Sequence, residues 1–262
     1  MRAKAFRDTT TFLAGGQFEP SGIFSTYAER GRLEELKAML RDSHQKLLDL
    51  GPEGRERYGV SRRRNFSITR PVDGFDPRYM PLEIVPRPRF WSRLPFDGSF
   101  AAGGYEYETW LINPTIMMPA LREELTRAGV IFRIGDRRVV ARNELPSLDA
   151  NIIVNCTGIG SKILFDDSEL IGGRGHLVKL NNPRALRYLL SASCYEGMMS
   201  MTRRRSAYVF CRPDSIVVGG SWTFNADPAD PMKVDPAECQ AILSRIRAIV
   251  GGATSCPVNG MV

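Results

Sequence analysis

The chain has 262 residues, of which 43% are hydrophobic and 25% charged, and its net charge is +7. These values are ordinary for a globular protein of one large or two modest domains, and no apolar run approaches the roughly 18 residues of a membrane helix. The N-terminus lacks the apolar core of a signal peptide and the cysteines are scattered without a C-x-x-C pair, so we expect a cytoplasmic protein with no disulfide framework and no metal site.

The N-terminal part of the chain combines a glycine-containing loop with a long helix. The loop holds the run T-T-F-L-A-G-G-Q at positions 10–17, where glycine favours positive φ or a close approach of the backbone to another group. Apolar residues then recur at helical spacing. They predict a helix over residues 26–50 with Ser25 as N-cap and a break at Gly31, stopped by the glycines and proline of 51–54.

The middle of the chain alternates strand and helix signals. Residues 58–60, 65–68 and 105–111 have the composition or alternation of strands. The pair Asn113-Pro114 predicts a helix start, because asparagine is a good N-cap and proline suits the first helical position. We expect this helix to end at Gly129, where residues 130–132 begin another strand.

A buried strand is predicted at residues 151–155, which read N-I-I-V-N. It ends in Cys156-Thr157-Gly158, small residues that let a backbone approach a bulky planar group closely. A second glycine-rich turn, G-G-R-G at 172–175, opens a further strand-like run over residues 177–180.

The last third of the chain predicts a hairpin followed by a helix. The strand-like runs 206–211 and 215–218 flank a turn that contains proline, and residues 236–250 have the spacing of an amphipathic helix. Long helices together with alternating strands predict an α+β fold, with a large antiparallel sheet within residues 55–225.

Arginine supplies most of the positive charge, in runs at residues 62–64, 137–138 and 203–205. Such runs can contact nucleic acid, but no nucleic-acid motif or interleaved aromatic residues accompany them here. We therefore interpret them as solvated loops rather than a nucleic-acid surface. A third interpretation is that a few of these arginines bind an anionic small substrate or cofactor.

Several of these segments, in this order and at similar spacing, resemble the flavin-dependent D-amino-acid oxidases and D-aspartate oxidases. The most specific matches are N-C-T-G at 155–158 and G-R-G at 173–175. The others are the segment 10–20, the helix and strand of 121–132, and the strand pair 208–210 with 216–220.

This resemblance implies an α/β flavoprotein remnant of the D-amino-acid-oxidase-like fold, in which a large mixed sheet of the substrate domain accompanies part of an FAD-binding domain. Residues 1–54 and 113–180 would form the partial FAD-binding domain. Residues 55–112 and 181–235 would form the substrate domain, and 236–262 a helix that returns toward the FAD-binding domain.

The resemblance also implies roles for individual residues. The residues expected to contact FAD are Thr10, Thr11, Gly15, Gly16, Gln17, Val139, Cys156, Thr157 and Gly158. The threonines would meet the phosphate or ribityl side, the glycine backbone the isoalloxazine, and a backbone group of Val139 or Val140 the adenine side. Tyr208 would be the active-site tyrosine. Arg204 stands where the family often has a second tyrosine above the substrate, and it either binds an acidic group or is loop charge.

The implied reaction is the oxidative deamination of a D-amino acid. The α-hydrogen leaves as a hydride to flavin N5, oxygen is then reduced to hydrogen peroxide, and the imino acid hydrolyses to a keto acid and ammonia. Positioning supplies the catalysis and no side-chain base is needed, which fits a chain with two histidines. We interpret His44 as solvent-facing and His176 as a structural hydrogen-bonding residue rather than a catalytic one.

The chain departs from the family pattern in two places. It has no G-x-G-x-x-G, the motif that holds the pyrophosphate at a helix N-terminus, and no counterpart of the segment with the arginine for the substrate carboxylate. We therefore expect weak FAD binding by the chain alone, a separate chain or a missing segment that supplies the dinucleotide-binding unit, and a homo- or hetero-oligomer. The alternative is an inactive truncated relative that acts as a binding or scaffold protein.

Overall fold

The computed structural model describes residues 9–19, 24–68, 83–85, 88–92, 104–133, 141–148, 150–184, 187–193, 203–224 and 233–250. Val139, which was expected to touch the adenine side of the cofactor, lies outside these ranges. Within them, no helix has the length and apolar character needed to cross a membrane.

Seven helices and eight strands are assigned in the described ranges. The helices are α1 (Thr10–Leu13), α2 (Phe24–Glu29), α3 (Leu33–Asp49), α4 (Gly51–Arg57), α5 (Pro114–Arg127), α6 (Gly160–Leu164) and α7 (Pro236–Val250), and Arg142–Leu148 is a 3₁₀ segment. The strands are β1 (Val60–Ile68), β2 (Arg89–Trp91), β3 (Gly104–Ile112), β4 (Gly173–Arg174), β5 (Leu177–Leu180), β6 (Tyr188–Ser193), β7 (Arg203–Cys211) and β8 (Ile216–Phe224).

The strands form one sheet in the order β2-β3-β1-β6-β7-β8-β4, and β5 pairs with the opposite end of β8. Every pairing is antiparallel except that of β1 with β6, which is parallel. The predicted α+β class and the large antiparallel sheet are therefore confirmed. The sheet is mixed because it contains this one parallel pair. Parallel neighbours cannot be joined by a hairpin, so a long crossover connects β1 with β6.

Helix α7 covers one face of this sheet. Its apolar residues form a core with side chains of β1, β5, β7 and β8. The buried members of this core are Phe66, Val178, Ala207, Val209, Cys211, Val218, Cys239, Ile242, Leu243 and Ile246. Burying each large side chain contributes roughly 1.5–3 kcal/mol, so the amphipathic spacing that predicted α7 also explains where it docks.

The opposite face of the sheet carries the candidate site. Residues that share this face follow each other across the strands in register: Tyr107 opposite Asn65, then Leu189, Phe210 and Val217. At one end of this row, Leu36 and Leu40 of α3 pack against Tyr107. At the other end, Leu111, Leu189, Phe210 and Val217 form a separate buried cluster.

The predicted helix break at Gly31 is confirmed, with φ at +67° between α2 and α3. Two neighbouring predictions are wrong. Ser25 lies inside α2 instead of capping it, and the residues expected to stop the long helix begin α4. Proline is tolerated there because Pro52 lies in the first turn, where its missing N–H needs no partner. The two short strands predicted between Tyr58 and Ile68 are one strand, β1.

The buried strand predicted at residues 151–155 is also wrong for the described structure. These residues have no strand pairing, and the exposed fractions of Ile152 and Val154 are 83% and 78%. The strand expected at 130–132 is likewise absent, and Ile131 is 79% exposed. An apolar strand of this kind needs neighbours on both sides, and the described residues supply none. Cys156, expected at a buried strand end, is exposed.

Candidate active site

The site is built around a short turn, residues 14–17, here named the glycine turn. It leads from α1 to the end of β3, where the Ile112 N–H donates to the Gly16 carbonyl at 2.8 Å and the Phe18 N–H donates to the Trp110 carbonyl at 2.9 Å. Gly16 has φ at +89°, and a Cβ there would overlap the Ile112 carbonyl oxygen. Glycine is therefore required at position 16 both for its conformation and for this close approach.

Tyr208, on β7, lies beside the glycine turn. Its ring stacks on that of Phe210, with centroids 4.5 Å apart and planes at 15°. It lies over the backbone of Gly219 on β8, where a Cβ would overlap the phenol carbon and the hydroxyl oxygen. Burial raises the pKa of Tyr208 to about 12, against the lowering effect of the positive Arg212. The phenol therefore stays protonated at neutral pH.

The glycine turn packs directly against this aromatic pair. A Cβ on Gly15 would stand 2.7 Å from Cε2 of Phe210 and 3.7 Å from Cε2 of Tyr208. At both glycines of the turn, a side chain would therefore collide with atoms of the neighbouring strands. The structure brings Gly15, Gly16 and Gln17 together with Tyr208, although more than 190 residues of sequence separate them.

The turn has unused hydrogen-bonding groups that fit a planar, acceptor-rich ligand such as a flavin. Among the described residues, the N–H groups of Gly15, Gly16 and Gln17 contact no acceptor, since the bonds to β3 use the flanking groups. The side-chain nitrogen of Gln17 is buried, also without a partner in the described part of the chain. A buried donor without an acceptor is costly, so a bound ligand that accepts from the Gln17 side chain would stabilise this arrangement.

Thr10 and Thr11 are exposed in the first turn of α1, directly before the glycine turn. They therefore share a segment with the three residues of the turn that were predicted to contact FAD. Thr9 supplies the N-cap of this helix, because its side chain accepts from the Phe12 N–H at 3.3 Å. A helix of four residues positions the threonines but offers little else to a ligand.

Cys156, Thr157 and Gly158 lie on a different, exposed segment. Asn155 accepts from the Thr157 N–H at 3.1 Å and donates to the Ser161 hydroxyl at 2.9 Å, which forms a local turn before α6. Gly158 has φ at +55°, with open space where a Cβ would stand. No hydrogen bond or ring contact between described residues joins this segment to the glycine turn, so these three cofactor assignments stay a prediction.

Arg204 lies on β7, four residues before Tyr208. A bulge between Arg205 and Tyr208 shifts the register, so Arg204 pairs with Trp222 whereas Tyr208 pairs with Gly219. In a regular strand, residues four positions apart point to the same face of the sheet. Because of the bulge, this rule does not place Arg204 on the face of Tyr208. The side chain of Arg204 lies outside the described part of the structure, and its substrate role stays a prediction.

Sequence reasoning missed Arg212, whose side chain reaches the glycine turn. Its guanidinium donates through Nη2 to the carbonyls of Ala14 and Gly15, the latter at 2.8 Å. Arg212 is 2% exposed, which is rare for an arginine. The sequence showed only an arginine in a hairpin turn, so no local signal distinguished it from a surface residue.

Sequence reasoning also missed Glu19, two residues after the glycine turn. Its carboxylate accepts from the Tyr107 hydroxyl at 3.3 Å. Burial raises the pKa of Glu19 to about 7, against the hydrogen bond from Tyr107, which lowers it. Burial together with the neighbouring Glu19 raises the pKa of the Tyr107 phenol well above its usual value.

The two histidines have structural positions. His176 is buried, its backbone N–H donates to the Ser221 hydroxyl at 2.8 Å, and its Nε2 accepts from the Asp235 N–H at 3.1 Å. This agrees with the structural role predicted for it, because it ties β8 to the start of α7. His44 is half-buried between Phe18 and Trp110, so the solvent-facing assignment is wrong. Burial lowers the pKa of His44, and the positive Arg62 lowers it further.

No group of three or more His, Cys, Asp or Glu side chains in the described ranges is arranged to hold a metal ion. The cysteines among the described residues, Cys156, Cys211 and Cys239, are free.

Comparison with known proteins agrees with this geometry. The family model DAO, described as FAD dependent oxidoreductase, matches residues 3–258. A D-amino-acid oxidase of Streptomyces coelicolor is 31% identical over 166 residues, which are 61% of this chain and 47% of that protein. A D-amino-acid oxidase of Rubrobacter xylanophilus is 28% identical over 151 residues, which are 56% of this chain and 41% of that protein.

The matched segments thus span less than half the length of these curated relatives. Among solved structures, the glycine oxidase of Geobacillus kaustophilus superposes with a TM-score of 0.62 at 14% identity. The superposition covers 92% of this chain and 68% of the glycine oxidase. At this identity the likeness shows a shared fold and nothing about the substrate.

Proposed function

The chain belongs to the DAO family of FAD-dependent oxidoreductases, and we propose that it takes part in the oxidation of a D-amino acid at the glycine turn. The family is FAD-dependent, so FAD is the cofactor to be expected in this site. When bound, the flavin would accept a hydride from the carbon that bears the amino group, and oxygen would then take the electrons to form hydrogen peroxide.

One observation carries this proposal. Three consecutive backbone N–H groups without an acceptor among the described residues lie next to a partly buried phenol that stays protonated. The turn can therefore donate hydrogen bonds to the acceptor edge of a planar ring system. Tyr208 can donate through its hydroxyl to a substrate carboxylate without carrying a charge itself.

The residues of this chain would act by binding and orientation. The stack of Tyr208 on Phe210 and the backbone of Gly219 fix the phenol, and a fixed donor loses little entropy when a substrate binds. The rings also form an apolar wall that keeps water from the reacting carbon. We assign no proton transfer to His176, because both of its ring nitrogens lie at structural partners.

Arg204 is our candidate for a second contact to the substrate, through an acidic side chain or a carboxylate. A guanidinium pairs with a carboxylate through two parallel hydrogen bonds, which selects for that group. If the substrate is acidic, Arg204→Ala raises its Michaelis constant more than that of a neutral D-amino acid. Equal changes for both substrates remove Arg204 from the site.

We propose that the pyrophosphate of FAD is held by a unit that the 262 residues do not encode. The sequence has no G-x-G-x-x-G, and the apolar segments 130–132 and 151–155 are exposed rather than paired in a sheet. A separate polypeptide or a further region that carries the motif would supply neighbouring strands and so cover both segments. Cys156, Thr157 and Gly158, at the end of the second segment, would then reach the cofactor.

The test is to purify the chain and titrate it with FAD, alone and with a candidate dinucleotide-binding partner. Binding is followed by quenching of flavin fluorescence and by the flavin absorbance band near ~450 nm. The loaded protein is then mixed without oxygen with D-amino acids, and with the L-enantiomers as controls. Bleaching of the band by D-enantiomers alone, with peroxide on admission of air, is the expected result.

Two other results would decide against the proposal. Flavin binding without bleaching by any D-amino acid supports a non-catalytic binding protein with this fold. Failure to bind FAD under every condition, with the partner present, rejects the cofactor site at the glycine turn. Gly15→Val serves as an internal control, because its side chain would collide with Phe210 and should abolish binding in this turn.

A further inference from the structure

We infer that Arg212 is a positioning residue that fixes the glycine turn against Tyr208 and so sets the distance between the cofactor side and the substrate side of the site. The expected effect of Arg212 on FAD binding rests on the proposed function. That Arg212 holds the glycine turn does not depend on it. It goes beyond the residues expected to touch FAD or substrate, since Arg212 acts through the backbone of the turn.

The contacts of Arg212 join two parts of the chain that are distant in sequence. Its guanidinium donates to two consecutive carbonyls of the turn, those of Ala14 and Gly15. Its own backbone closes the hairpin of β7 and β8, because its N–H donates to the Ser215 carbonyl at 2.8 Å. Asn182 donates to the Arg212 carbonyl at 2.7 Å. A movement of the hairpin is therefore transmitted to the turn.

These contacts have a direction that matters for a ligand. With the Ala14 and Gly15 carbonyls held by Arg212, and the Gly16 carbonyl held by Ile112, three successive acceptors of the turn are occupied. The N–H groups of Gly15, Gly16 and Gln17 have no acceptor among the described residues, whereas the Ala14 N–H donates to the Thr11 carbonyl at 3.2 Å. Three carbonyls of the turn thus have protein partners while three N–H groups remain for a ligand, and such donors suit the acceptor groups of a flavin or a carboxylate.

A buried guanidinium is a costly way to hold two carbonyls. Its Nε lies buried without a partner among the described residues, and burial lowers the pKa of Arg212, partly offset by the negative Asp214. Asp214 is itself held by Asn113 at 3.1 Å and by Lys179 at 3.5 Å. Burying a charge is costly unless partners compensate it, and the partners of this guanidinium are the two carbonyls of the glycine turn.

The test compares Arg212→Met and Arg212→Lys with wild type in the full chain. The first readout is hydrogen exchange without flavin at the amides of Phe18 and Ile112, which anchor the turn. Loss of charged hydrogen bonds to two carbonyls should speed this exchange by roughly tenfold or more in Arg212→Met, and less in Arg212→Lys. The amides of α7, which pack on the other face, should keep their rates.

The second readout is the dissociation constant for FAD, with the dinucleotide-binding partner present where it is required. We expect Arg212→Met to weaken binding by about tenfold to a hundredfold, and Arg212→Lys to recover part of this loss. Arg245→Met is the matched control. Arg245 is another mostly buried arginine with an unpartnered Nε, but it lies in α7, where its ion pair is with Glu238.

The outcomes separate this inference from the proposed function. If wild type binds no FAD, the proposed function fails, whereas the exchange data still decide whether Arg212 holds the turn. If wild type binds FAD and both Arg212 variants bind it equally well with unchanged exchange, the inference is overturned. If Arg212→Met does not fold, Asp214→Asn replaces it. This variant keeps the hairpin but removes the charge facing Arg212, and faster exchange at Phe18 is again expected.

Discussion

Gly219 lies directly beneath the ring of Tyr208, in register with it across β7 and β8. A Cβ on Gly219 would overlap the phenol and would stand 2.7 Å from Cδ2 of Leu177. The phenol of Tyr208 thus occupies the space that a side chain at position 219 would take. The position of the phenol, and its distance from the glycine turn, depend on a missing methyl group.

Gly219→Ala should therefore destabilise the protein and displace Tyr208. Overpacking of this kind costs about 1–3 kcal/mol, measured as the change in free energy of unfolding in urea. Gly160→Ala is the control, because its nearest neighbour, Cβ of Thr157, stands at an ordinary 3.4 Å and its φ is not positive. Equal stability of the two variants would mean that Tyr208 does not lie on Gly219.

A second pair of glycines separates backbone strain from steric overlap. Gly16 and Gly129 have nearly the same φ, +89° and +88°, but only Gly16 faces a carbonyl oxygen, that of Ile112. Alanine at either position adds about 1–2 kcal/mol of strain. Gly16→Ala should lose at least about 2 kcal/mol more than Gly129→Ala in urea unfolding, and it should lose FAD binding. Similar losses would contradict the pairing of the glycine turn with β3.

Glu19→Gln should change the pH dependence of stability. The pKa of Glu19 is raised in the folded protein to about 7, whereas the unfolded value is near 4.5. Between these values the folded state holds a proton that the unfolded state has released, so Glu19 makes stability fall as pH rises from about 4.5 to about 7. The glutamine variant, which still accepts from Tyr107, lacks this loss.

We therefore expect Glu19→Gln to exceed wild type in stability at pH 8, by on the order of 2 kcal/mol, and to match it near pH 4.5. Urea unfolding at several pH values measures the difference. Glu29→Gln, at an exposed position, controls for the change in net charge. A difference between Glu19→Gln and wild type that stays constant with pH would show that the carboxyl does not titrate in this window.

The exposed apolar segment at residues 151–155 should drive association of the isolated chain. Ile152 and Val154 are 83% and 78% exposed, which is unusual for two large apolar residues so close in sequence on a surface in contact with water. The double variant Ile152→Asp with Val154→Asp should shift size-exclusion chromatography with light scattering toward monomer and reduce binding of a hydrophobic dye. Its melting temperature should stay within about 2 °C of wild type, because neither side chain packs in a core.

Val234→Asp is the control for that experiment, since Val234 is a 46% exposed apolar residue outside this segment, just before α7. It should leave both the oligomeric state and the dye signal unchanged. Association that persists in the double variant would place the contact surface elsewhere. If a dinucleotide-binding partner covers this segment, the double variant should also lose the complex.

The elements predicted from periodicity and capping were largely found. Asn113 accepts from the Thr115 N–H at 3.2 Å and begins α5, and the helix α7 has the predicted bounds. The hairpin around Arg212 is present as predicted, but β7 begins three residues earlier and β8 extends to Phe224 instead of ending at residue 218. These features depend on neighbours within a few residues, which a sequence displays directly. The segment 151–155 failed because strand formation depends on partners elsewhere. An apolar run is compatible with a strand but does not create the adjacent strands.

The sequence by itself determined elements such as α5, α7 and β3, the α+β class and, through the order of its motifs, the family of FAD-dependent oxidoreductases. It also identified Gly15, Gly16 and Tyr208 as residues of interest. The tertiary structure alone decided that these residues meet, that Gly219 makes room for the phenol, that Arg212 is buried against the glycine turn, and that Glu19 is half-buried at Tyr107. Such facts depend on the register of β7 with β8 and on the pairing of the glycine turn with β3. Contacts between residues far apart in the chain leave no local pattern, and a buried arginine and a surface arginine are the same letter in a sequence.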